Sequence, residues 1–116
     1  MIVGVQGSQS FSDYNVFLRS MAVALSSMPE GDTEFLIYSA GPSKVNNFVA
    51  EFSNISERSL KAQGIKIRFF RMPPAWITSN IHDFDYFIYL SKPKEPTSKL
   101  AAYAERKNIE VGLFRY

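Results

Sequence analysis

Two rhythms of apolar positions alternate along the chain. Residues 2–6 (IVGVQ) form a short apolar run closed by Gly7 and Ser8. Such a run, bounded by turn residues, predicts a strand buried on both faces. From residue 13 the period lengthens: Tyr14, Phe17 or Leu18, Met21, Leu25 and Met28 recur every three or four positions, the repeat of one helix face. Ser12 is placed to cap this helix, and Asp13 to favour its positive end. Pro29 and Gly31 end it.

The alternation repeats. Residues 34–38 (EFLIY) predict a second strand, and residues 39–43 (SAGPS) a tight turn. A second helical face runs through Val45, Phe48 or Val49, Phe52, Ile55 and Leu60, with Gly64 placed as a left-handed C-terminal cap. In residues 65–70, Ile65, Ile67 and Phe69 alternate with Lys66 and Arg68. This predicts a third strand with one less buried face, at an edge of the sheet. Residues 72–76 (MPPAW) read as irregular, and residues 78–82 as one helical turn. Residues 86–90 (YFIYL) are the most apolar strand. A loop over 91–96 leads to a last helix, opened by Pro96, Thr97 and Ser98, faced by Leu100, Tyr103 and Ala104, and capped by Asn108. Residues 110–114 predict the fifth strand. Strands alternating with helices imply right-handed crossovers and a parallel sheet covered on both sides. The expected fold is therefore a Rossmann-like three-layer α/β fold, its five-stranded parallel sheet in the order 3-2-1-4-5. In such sheets a ligand sits beyond the carboxyl ends of the strands, where strand order reverses.

Composition sharpens this picture. The 116 residues fit one domain, 1–116. A chain of this size buries roughly two-thirds of its unfolded surface, and with 46% apolar residues, ten Phe and six Tyr among them, it is expected to be ordered. There is no cysteine, which excludes disulfides and thiolate chemistry. His82 is the only histidine, so a histidine-rich metal site is excluded and no metal is expected. The first residues lack the basic leader and long apolar core of a signal peptide, and no stretch approaches the ~20 apolar residues that span a bilayer. A cytoplasmic location, in a cell or a virus-infected host cell, is expected, with no membrane partner. The net charge is +2 and the signs are mixed along the chain. Lys61, Lys66, Arg68 and Arg71 are the densest basic stretch, with Lys92, Lys94 and Lys99 a second. These read either as solvated edges or as a surface for an anion; nucleic acid is not an expected partner.

The first strand–helix turn, Gly7-Ser8-Gln9-Ser10-Phe11-Ser12-Asp13, falls at the expected reversal of strand order. Glycine allows close backbone approach, amides at a helix start favour phosphate, and three serine hydroxyls add donors. A turn that simply needs a glycine and a serine cap would read the same way. Ser43 and Lys44 open the second helix, and Ser91, Thr97 and Ser98 lie across the reversal. Phe11 is a candidate to stack on a base; Trp76, after two prolines, is a candidate either to stack on a base or to plug the core or an interface.

The pattern V-x-G-S-x-x-F-x-D, carried by Val5, Gly7, Ser8, Phe11 and Asp13, resembles the SLOG superfamily of Rossmann-like nucleotide-binding proteins, and most resembles its small YspA-like branch. Gly41 matches the glycine-rich second turn of such proteins. The element order matches over nearly the whole chain, the specific motif over about seven residues. The resemblance implies a nucleotide or nucleotide-derived ligand held by Gly7, Ser8, Gln9, Ser10, Gly41, Ser43, Lys44, Ser91, Thr97 and Ser98. Superfamily members with phosphoribohydrolase activity carry P-G-G-x-G-T-x-x-E before a late helix. Here that region is Ser91-Lys92-Pro93-Lys94-Glu95-Pro96-Thr97-Ser98, without glycine, and Glu95 stands at the wrong place in the motif. The expectation is a sensor or sequestering protein. One alternative is a nucleotide hydrolase or transferase using Asp13 or Glu95. Another is a non-catalytic oligomeric scaffold joined through Phe11, Phe52 and Trp76; a homodimer or larger homo-oligomer is expected in any case. A phosphate-containing ligand is the only cofactor implied.

Overall fold

Tyr86–Ser91 reads YFIYLS, and all six residues are buried. A strand so apolar needs cover on both faces and a neighbour on each side. It receives both in the computed structural model, which describes residues 1–115. The elements run β1 Ile2–Gly7, α1 Tyr14–Ser26, β2 Glu34–Ser39, α2 Ser43–Ala62, β3 Lys66–Arg71, α3 Pro74–Ser79, a 3₁₀ turn Ile81–Asp83, β4 Tyr86–Ser91, α4 Lys99–Arg106 and β5 Glu110–Arg115. The sheet order is β3-β2-β1-β4-β5, and every pairing is parallel. The expected fold class and strand order are both found. β1 and β4 are neighbours, with Val5 paired to Ile88 and Gly7 to Leu90, so strand order reverses between them.

One face of the sheet carries the larger core. Phe17 and Met21 of α1 and Val45, Val49 and Phe52 of α2 close over Val3, Val5, Ile37, Ile88 and Leu90. On the other face Ile77 of α3 and Leu100, Ala101 and Ala104 of α4 meet Phe87 and Tyr89. This second layer is thin, because α3 has six residues and α4 eight. β3 lies at an edge, with Lys66 and Arg68 exposed and Ile67 buried, as its alternation predicts.

The helix ends follow local chemistry. At the end of α2, Gly64 takes φ +80; its N–H donates to the Lys61 carbonyl and that of Ile65 to the Leu60 carbonyl. That is the paired closure in which a left-handed residue satisfies the last carbonyls. α4 ends identically: Asn108 has φ +63, its N–H donates to Glu105, and Ile109 donates to Ala104. At the start of α1 the cap is Asp13, not Ser12: the Asp13 carboxylate accepts the Val16 N–H at 3.1 Å. Phe11 is anchored in the core, so the chain reaches helical geometry only after Asp13. The MPPAW segment is irregular only at Met72 and Pro73; Pro74, Ala75 and Trp76 are helical. Pro73 and Pro74 start α3, where a proline at the first helical position has its φ already set and lacks only an N–H that would be unpaired.

Candidate functional site

Three loops meet at the carboxyl ends of β1, β2 and β4. The Gly7 N–H donates to the Gly41 carbonyl at 2.9 Å, and the Ser8 N–H to the Leu90 carbonyl at 2.8 Å. The first turn, the second turn and the end of β4 are thereby joined through backbone. The bonds also change the expected anion site: the Ser8 amide is engaged by β4 and does not face a ligand. The amides of Gln9 and Ser10 make no backbone bond among the described residues. Gly7 has a negative or extended φ, so its lack of a side chain serves contact rather than the turn. A Cβ there would lie 2.5 Å from Val45 Cγ2. The glycine lets the first turn of α2 press against the end of β1, which brings the start of that helix to the crevice.

The side chains of this crevice converge on a carboxylate. Ser8 Oγ donates to Glu95 Oε1 at 2.9 Å, Ser10 Oγ donates to Glu95 Oε2 at 2.8 Å, and the Lys92 N–H donates to Oε1. The two hydroxyls are 3.4 Å apart. These donors favour the charged form and hold the Glu95 carboxyl below the usual carboxylate range, the Lys92 amide contributing most. Arg115 completes the corner, donating through Nε to Ser91 Oγ at 3.1 Å and through Nη2 to the Glu95 carbonyl at 3.3 Å. Burial raises the Tyr89 phenol above its ordinary value, and the nearby Glu95 charge adds to this.

The remaining candidate residues divide. Ser98 caps α4, accepting the Ala101 N–H at 3.1 Å while its hydroxyl donates to Gln6 Oε1 at 2.6 Å; it braces β1 against α4 and has no free donor. Thr97 faces another surface, a cavity of about 420 Å³ shared with Ala102, Glu105 and Arg106. Ser43 and Lys44 are exposed in the first turn of α2, whose N-cap is Pro42 and which receives no side-chain cap. Gly41 takes φ +87 and its N–H donates to Ser39 Oγ at 3.4 Å, while Ser39 donates to Asn46 of α2. Phe11 is not a stacking platform: it is 1% exposed, with its ring edge-on to Phe48 at 6.5 Å. Phe52 is likewise core, edge-on to Phe17, so neither residue can serve as an exposed oligomer contact. Trp76 is half-buried and stacked on Tyr38 at 5.1 Å, on the thin layer away from the crevice. Asp13, as the α1 cap, has its carboxylate engaged.

Two features were not singled out by sequence. One is Arg115, which pairs with Ser91 only because β5 lies in register beside β4. The other is a cavity of about 330 Å³ over the ends of β2 and β3, lined by Ser39, Ala40, Asn46, Arg71, Met72 and Pro73. It adjoins the uncapped start of α2 and carries the Arg71 cation. A larger cavity, about 540 Å³, lies at the opposite end of β3 among Glu57, Lys61, Gly64, Ile65, Lys66 and Ile67. Size alone would favour it, but sheets of this topology bind at their carboxyl ends, and the converging donors are there. Among the described residues, no group of three or more His, Cys, Asp or Glu side chains could hold a metal ion, and no helix is long and apolar enough to cross a membrane. No protein-family model, no curated protein and no solved structure matches this chain.

Proposed function

We propose that this protein binds a small phosphate-bearing ligand, of the nucleotide class, in the crevice at the carboxyl ends of β1, β2 and β4. The observation that carries the reading is the convergence of the Ser8 and Ser10 hydroxyls on one two-oxygen anion, the Glu95 carboxylate, where strand order reverses. A turn that binds a carboxylate through two hydroxyls offers the donors a phosphate needs. The start of α2 adds the partial positive charge of unpaired amides. A separate cavity of about 330 Å³ with Arg71, over the ends of β2 and β3 on the same carboxyl edge of the sheet, is at the lower end of small-molecule sites. The geometry favours binding over hydrolysis. Asp13 is held by a helix cap, and Glu95 is held by three donors that make it a weaker base than a free glutamate.

Calorimetric titration with inorganic phosphate and nucleoside mono-, di- and triphosphates tests this. One class should bind, and the Ser8→Ala/Ser10→Ala protein should bind it roughly 5- to 150-fold more weakly, from two neutral hydrogen bonds of about 0.5–1.5 kcal/mol each. Failure of every compound at millimolar concentration, in the parent and in Glu95→Gln alike, would overturn it.

A further inference from the structure

We infer that Glu95 is a built-in competitor for the site: its carboxylate stands where the ligand's anionic group must bind, and ligand entry requires the Glu95 side chain to leave Ser8 and Ser10. The inference rests on reading the crevice as an anion site, and adds to it how that site is gated.

The Ser8 and Ser10 hydroxyls of the first turn are already committed to Glu95, at 2.9 and 2.8 Å. A second anion cannot share them, because each hydroxyl has one proton to donate and two anions within contact distance repel. The arrangement is local to one loop. Lys92 supplies an N–H to the carboxylate, and the Glu95 N–H returns to the Lys92 carbonyl at 3.3 Å. The loop is also bent against its preference: Lys94 takes φ +73, a left-handed conformation costly for a residue with a side chain. Arg115 holds the Glu95 carbonyl and the Ser91 hydroxyl separately. The Glu95 side chain can therefore swing out while its backbone stays tethered, leaving the Ser8 and Ser10 donors facing the vacated space. The occupant admitted is an anion with at least two acceptor oxygens, such as a phosphate or phosphoester. Free phosphate and a nucleotide share that chemistry.

The test uses the intact protein, its Glu95→Gln and Glu95→Ala variants, and inorganic phosphate, a nucleoside monophosphate and a nucleoside diphosphate as probes. A site available only in a fraction of molecules binds with its affinity reduced by that fraction. Both variants should therefore bind the preferred probe roughly tenfold or more tighter than the parent. Tightening for phosphate and nucleotides alike would assign the site to the phosphate group; tightening for nucleotides alone would assign it to the larger ligand. Removing a charge near an anion could tighten binding without any gating, so a second readout is needed. In the parent, saturation with the probe should speed hydrogen exchange at the Lys92 amide, because that amide loses its carboxylate partner. If the probe binds the parent while the Lys92 amide stays protected, or binds parent and variants equally, the competition is wrong and the binding site stands. If no probe binds any of the three proteins, the binding reading itself falls.

Discussion

At Gly7 the requirement is space. A Cβ would sit 2.5 Å from Val45 Cγ2, and Val45 is fully buried in the α2–sheet core. Overpacking of this kind costs about 1–3 kcal/mol. Gly7→Val should therefore lower the urea midpoint before any effect on ligand is considered. Gly7→Ala combined with Val45→Ala should lose less than the sum of the two single changes, since the second makes room for the first; strict additivity would show that the glycine has another purpose. At Glu95 the requirement is charge. Because its carboxyl is held below the usual range by Lys92, Ser10 and Ser8, its bonds to the first turn are in full force above the ordinary glutamate value near 4.3. They are lost as pH falls through the lowered value. The Lys92 amide resonance should titrate with a midpoint below about 4.3, and the midpoint should rise toward that value in Ser8→Ala/Ser10→Ala. A midpoint at or above it in the parent would mean that the hydroxyls do not hold the carboxylate.

At the scale of elements, the ends of helices repay inspection more than their middles. Gly64 at the end of α2 has φ +80 with open space where a Cβ would project, so the cost of Gly64→Ala is conformational alone, about 1–2 kcal/mol. Thermal melts should show that loss, and Asn108→Gly, which places a freer residue at the matching position after α4 (φ +63), should match or exceed the parent. If Gly64→Ala melts with the parent, the closure of α2 does not depend on the left-handed residue. Both caps were legible in the sequence, because a glycine or asparagine after an amphipathic run has few other uses. All five strands were legible too, each ending within one residue of its expected place, since short apolar or alternating runs bounded by turn residues leave little choice. The site was less legible. Ser8 and Ser10 were found because they follow the first strand, but their partner Glu95 lies 87 and 85 positions away and became their neighbour only through the β1–β4 pairing. Phe11 was misplaced because a loop aromatic carries no period to show which way it faces. The start of α3 was missed because consecutive prolines read as a break, although a proline suits the first turn of a helix.

For the molecule as a whole, the sheet order leaves β1 and β4 interior and β3 and β5 with one side unpaired in the isolated chain. Val3, Val5, Ile88 and Leu90 have no exposed surface, whereas every residue of β5 is half-buried or exposed, with Leu113 45% exposed. Resistance to opening follows burial and two-sided pairing. The amides of Val3, Val5 and Phe87–Leu90 should therefore exchange only on global unfolding, and those of β3 and β5 sooner. The same measurement bears on assembly. An oligomer formed by pairing an edge strand with another chain gives the outer amides of that edge partners they lack in the monomer. Hydrogen exchange at two protein concentrations, with sedimentation at the same concentrations, separates the cases. Edge amides that exchange quickly at both, in a monomer, would remove edge-strand pairing as a route to a homo-oligomer. Slowing confined to β5 at the higher concentration, with a doubled mass, would place the contact on that strand. Slowing on β3 is the outcome least expected. Lys66, Arg68 and Arg71 crowd that edge with like charges, and bringing two such strands together sets the charges against one another.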